Sequence, residues 1–74
     1  MEEKYEKILR AIYEMYVERN SLCVEKVDIG REGAENYHWL IDQGYITDTY
    51  RYGKGYLDCH VTQKAIDYFL NKER

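Results

Sequence analysis

Tyr45-Ile46-Thr47-Asp48-Thr49-Tyr50-Arg51-Tyr52 and Tyr56-Leu57-Asp58-Cys59-His60-Val61, joined by Gly53-Lys54-Gly55, are the residues on which the fold turns. Both flanks are rich in β-branched and aromatic residues and alternate with a period of two. The glycine-rich joint between them is a hairpin signal. In the second flank Leu57, Cys59 and Val61 face one way, while Tyr56, Asp58 and His60 face the other. A lone hairpin is marginal in water, so the rest of the chain must supply a surface for it.

Upstream, from Glu2 to Arg19, the apolar residues Tyr5, Ile8, Leu9, Ile12 and Tyr16 recur at three- and four-residue steps. That is the stripe of an amphipathic helix. Glu3 with Lys7 and Glu6 with Arg10 stand at i and i+4 on its polar side, and Glu2 and Glu3 suit its positive end. Asn20-Ser21 ends it. Residues 22–29 are expected to form one or two helical turns that send Val24, Val27 and Ile29 inward. Gly30 breaks the pattern, and residues 31–43 read as a second long helix with Gly33, Tyr37, Leu40 and Ile41 inside and Gly44 as its terminal cap. Downstream of the hairpin, Thr62 is the expected N-cap of a last helix. Its inner face is Ile66, Phe69 and Leu70, and Lys72 and Arg74 sit at the end that favours cations. The expected architecture is α+β: three main helices, a short one, and a two-stranded hairpin before the last helix.

Composition bounds the function. The chain has 74 residues, 45% apolar and 34% charged, with 11 basic against 14 acidic side chains and a net charge of −3. At this length folding buries only about 60% of the unfolded surface, which excludes a cofactor domain of several layers. One domain over residues 1–74 is expected, without a cofactor. No apolar run approaches the roughly 18 residues of a membrane helix. Met1-Glu2-Glu3-Lys4-Tyr5 lacks the basic and apolar regions of a signal peptide, so a cytoplasmic protein with two reduced thiols, Cys23 and Cys59, is expected.

Leu40-Ile41-Asp42-Gln43-Gly44-Tyr45-Ile46 and Val61-Thr62-Gln63-Lys64-Ala65-Ile66-Asp67-Tyr68-Phe69 carry a resemblance to the winged-helix family. There a recognition helix passes through a Gly-Tyr-Ile-like step into the wing, and a Leu-Thr-x-Lys-Gly-like step opens the next helix. Val61 stands here for the Leu and Ala65 for the Gly. Asp28-Ile29-Gly30 before the longer helix is similar to the small YjcQ-type subgroup of Firmicutes and their phages. The resemblance implies a DNA-binding transcriptional regulator of bacterial or phage type, acting as a dimer. The helix at 31–43 would enter the major groove, and the wing would follow the backbone or minor groove.

The residues test that implication. At 100° per residue the outward positions of the second helix are Arg31, Glu32, Glu35, His38, Trp39 and Asp42, one cation against three anions. Binding to duplex DNA relies on Lys and Arg that displace counterions, so this face opposes the role. Arg51 and Lys54 at the wing favour it, and two such contacts predict a salt slope of only about −2. The candidate DNA contacts are therefore Arg31, Asn36, His38, Arg51 and Lys54. A second reading takes the chain as a protein-binding module. It would use Trp39, Tyr50, Tyr52 and Tyr56 as anchors and Glu32, Glu35 and Asp42 as an acidic rim. Against it, the tyrosines can simply cover a thin hairpin, and Trp39 can tuck against the first helix. Lys64, Tyr68 and Lys72 form a further outward stripe, either solvated or open to phosphate or an acidic partner.

Catalysis and metal binding are not expected. Cys59 and His60, as neighbours on a strand, point to opposite faces and can hardly share an ion. Neither Cys has the signature of a nucleophile paired with His38 or His60, Glu14 and Glu18 read as solvated, and Gly53-Lys54-Gly55 is no P-loop.

Overall fold

Alternation with a period of two does produce the hairpin, but the sheet is one strand wider than the sequence pattern suggests. The computed structural model describes residues 1–72, so Arg74 lies outside the described residues. Along the chain run α1 (Glu3–Arg19), β1 (Cys23–Asp28), α2 (Gly30–Asp42), β2 (Ile46–Gly53), β3 (Tyr56–Val61) and α3 (Gln63–Lys72). The fold is α+β, with three helices and a three-stranded antiparallel sheet in the order β1-β3-β2. Among the described residues no helix is long and apolar enough to cross a membrane.

The expected short helix at 22–29 is a strand. Val24 and Val27 are indeed buried, but they pair with Cys59 and Leu57 of β3 and have a bulge between them. At the bulge Lys26 takes a φ of 50°, and the extra residue makes the inward positions recur after three residues instead of two. That spacing imitates a helical turn.

The hairpin closes tightly. Lys54 and Gly55 lie between the paired Gly53 and Tyr56, and both have positive φ, 55° and 83°. Positive φ at both central residues is what a two-residue type I′ turn requires. The Ile29 N–H donates to the Gly55 carbonyl at 2.8 Å, and a Cβ on Gly55 would stand 2.8 Å from the Gly30 backbone. The hairpin tip is thereby pinned to the junction of β1 and α2.

One apolar cluster holds the layers together. Ile8, Leu9 and Ile12 of α1, Tyr37 and Leu40 of α2, and Ala65 and Phe69 of α3 meet Val24, Val27, Ile46, Leu57, Cys59 and Val61 from the sheet. Gly44, at φ 80°, closes α2 by donating to the Ile41 carbonyl, as the sequence leads one to expect. The last helix departs from expectation: Leu70 is exposed, and Ala65 takes its place inside. On the helical wheel Ala65 and Phe69 are about 40° apart, whereas Leu70 falls about 140° from Ala65 and leaves the stripe.

The stripe of Lys64, Tyr68 and Lys72 serves the fold itself. Tyr68 donates its hydroxyl to Glu6 Oε2 at 2.6 Å, Lys72 Nζ donates to both Glu6 oxygens at 2.5 Å, and Lys64 Nζ donates to the Gln43 carbonyl at 2.6 Å. The Lys72 ammonium, then the Tyr68 hydroxyl, hold the Glu6 carboxyl down at about 2. The same bond pushes the Tyr68 hydroxyl up to about 12.

Candidate functional site

Pinning the hairpin tip to the start of α2 brings distant cations together. Arg31 in the first turn of α2, Arg51 of β2 and Lys54 of the turn line one shallow depression with Ala34, Glu35, Gly53 and Gly55. Arg51 pairs in register with the inward Leu57, so it stands on the side of the sheet that faces α2. Arg31 also borders a second depression, together with Lys4 and Lys7 of α1 and Asp28, Gly30 and Glu32. Lys4, Lys7, Arg31, Arg51 and Lys54 thus border two depressions as one ridge, with Arg31 shared between its two halves.

Carboxylates lie among them. Glu35 is 3.9 Å from Arg31, but the two side chains are 68% and 95% exposed, so solvent screens the pair and Arg31 is free to turn outward. The Gly30 N–H donates to Asp28 Oδ1 at 3.0 Å, which places an anion at the start of α2. Asp28, Glu32 and Glu35 line the same two depressions, Glu3 shares a third with Lys4, Lys7 and Glu32, and Glu2 lies 3.8 Å from Lys4, so the five cations stand among five carboxylates.

The other expected contacts fare unevenly. Asn36 donates to the Glu32 carbonyl of its own helix at 2.8 Å and is half-buried. His38 is exposed, with its ring tilted against Tyr37 at 4.1 Å. Trp39 is half-buried, stacked on Tyr5 of α1 at 4.2 Å and in reach of Tyr45 at 6.1 Å. Glu32, Glu35 and Asp42 remain exposed on α2.

Tyr50, Tyr52 and Tyr56 are exposed on the outer face of the sheet, and Tyr52 and Tyr56 share a depression with Lys26, Gly53 and Lys54. Tyr52 donates its hydroxyl to Asp58 Oδ2 at 2.6 Å, which pushes that hydroxyl up to about 12. The Lys26 N–H donates to the other Asp58 oxygen at 2.7 Å. The acidic rim stands on α2 and the tyrosines on the sheet, with Gly53 and Lys54 bordering both Glu35 and the tyrosines. Also on the outer face, Cys23 Sγ lies 3.1 Å from His60 Nδ1, whereas Cys59 is buried and its thiol is pushed up to about 12 by burial. Among the described residues no three His, Cys, Asp or Glu side chains are grouped to hold a metal ion.

Two features escaped the sequence pattern. Lys4 and Lys7 stand at i and i+3 on α1, so a shared face was legible, but its place beside Arg31 depends on tertiary packing. Cys23 and His60 meet only because residues 22–29 form a strand that pairs with β3.

Compared with protein-family models, with curated proteins and with solved structures, the chain finds no match.

Proposed function

We propose that this chain is a small winged-helix-like DNA-binding protein, a regulator of bacterial or phage type, and that it grips the duplex backbone through the ridge of Lys4, Lys7, Arg31, Arg51 and Lys54. One observation carries the reading: the hairpin tip and the start of α2 are fastened together, so Arg31, Arg51 and Lys54 line one depression, and Arg31 joins it to Lys4 and Lys7 of α1. The order helix, strand, helix, hairpin, helix, with the first strand paired to the last, supports the winged-helix assignment, and the β2–β3 hairpin is its wing. Phosphates prefer Lys and Arg side chains here, because Asp28 already occupies the positive end of α2. The outer face of α2 stays acidic, so base reading falls to Arg31 and His38. Catalysis has no part in this reading. The rival protein-binding module is supported less, since Trp39 is committed to its stack on Tyr5.

Fluorescence anisotropy with mixed-sequence duplex DNA at about 20, 50 and 150 mM salt tests the proposal. The log–log slope should be negative and reach at most about −4.5, the value for all five cations. Removing Arg31, Arg51 and Lys54 together should flatten it by up to about 2.7, and Glu35→Ala should tighten binding. Absence of binding at the lowest salt, or a slope indifferent to the triple variant, overturns the reading.

A further inference from the structure

Cys23 opens β1 and His60 lies opposite it in register on β3. Their side chains share the outer face of the sheet, with Sγ and Nδ1 3.1 Å apart, a nucleophile within hydrogen-bond reach of a base. Cys23 is exposed and His60 is half-exposed, so a small molecule can reach the sulfur. Cys59 neighbours this pair along the backbone but is buried on the inner face. Thiols on opposite faces of a sheet cannot bridge without backbone movement, so a partner for Cys23 must come from outside the fold. Ser21 Oγ accepts from the Cys23 N–H at 3.3 Å and donates to the Cys23 carbonyl at 3.1 Å, fixing the backbone that carries the sulfur. The nearest acidic positions along the three strands are Glu25, Asp48 and Asp58, and Asp58 is already engaged by Lys26 and Tyr52.

We infer that Cys23 and His60 form a thiol–disulfide exchange site that takes low-molecular-weight disulfides, with Cys23 as the modified residue. In the tautomer with its proton on Nε2, His60 accepts the thiol proton at Nδ1. The Cys23 sulfur attacks one sulfur of the disulfide, the old S–S bond breaks as the new one forms, and the departing thiolate takes the proton back from His60. One disulfide and one thiol enter, and one mixed disulfide and one thiol leave. The inference is independent of DNA binding, since the pair stands at the far end of β1 from the hairpin tip.

The folded chain incubated with oxidised glutathione at pH 7, followed by intact mass and peptide mapping, tests it. One adduct is expected on Cys23 and none on Cys59, and Cys23→Ser should take up none. His60→Gln, shown by circular dichroism to stay folded, removes the proton acceptor 3.1 Å from Sγ and should slow the adduct by about threefold or more. Modification of Cys59 as fast as Cys23, or a His60→Gln chain that reacts at the parent rate, overturns the inference.

Discussion

Replacing Glu6 with Gln asks how far charge latches α3 to α1. Glu6 receives Lys72 at 2.5 Å, Tyr68 at 2.6 Å and Arg10 at 3.3 Å. Together they hold its carboxyl at about 2 against an ordinary 4.5. For a shielded group that gap corresponds to about 3.4 kcal/mol, at 1.36 kcal/mol per unit. Solvent reaches this cluster, however: the Lys72 side chain is 47% exposed and that of Arg10 42%. Exposed pairs return only a fraction of their Coulomb energy, so the latch is expected to contribute about 1 kcal/mol. A depressed carboxyl stabilises fully above its unfolded value near 4.5, and the contribution is lost as pH falls through about 2. Thermal unfolding followed by circular dichroism at pH 7 should place E6Q about 4–8 °C below the parent. The two curves should converge as both are taken to pH 2. An E6Q chain that melts with the parent at pH 7, or a gap that survives intact at pH 2, refutes the latch.

Three further substitutions probe the pinned hairpin and the role of Trp39. Gly55→Ala combines a φ of 83° with a contact at 2.8 Å to the Gly30 backbone, whereas Gly53, at φ 96°, has nothing within 4 Å of an added Cβ. Urea denaturation should show Gly55→Ala losing about 2 kcal/mol or more and Gly53→Ala only about 1 kcal/mol. Equal losses would remove the close approach as the reason for Gly55. Trp39→Ala should cost about 2 kcal/mol by the same assay, since a half-buried ring leaves its stack on Tyr5, yet leave DNA affinity within about twofold where the chain is folded. A stable variant that loses binding would return Trp39 to an interface.

What the sequence made legible followed periodicity and turn chemistry. The stripe of Ile8, Leu9 and Ile12, the alternation of Leu57, Cys59 and Val61, and the closing Gly44 each depend on local geometry that a short window contains. β1 was hidden because its bulge turns a period of two into a step of three between Val24 and Val27. A helical wheel likewise puts Trp39 on the polar side of α2, and only the position of Tyr5 on α1 makes that side a packing surface. The Lys64, Tyr68 and Lys72 stripe was visible, but its acidic partner proved to be Glu6, far along the same chain.

The candidate site shows why charge summed along a sequence is a poor guide to a binding face. A total of −3 with an acidic α2 argues against a polyanionic partner. Field strength at a surface depends instead on which charges lie within about a Debye length of one another, roughly 8 Å at physiological salt. The bond from Ile29 to Gly55 draws the turn carrying Lys54 to the helix that begins with Arg31, and Lys4 and Lys7 complete the same rim from α1. On the proposed reading, a duplex at that rim would meet the first turn of α2 together with Glu35, which lines the same depression as Arg31, Arg51 and Lys54, so Glu35 would weaken the grip at every sequence by repulsion.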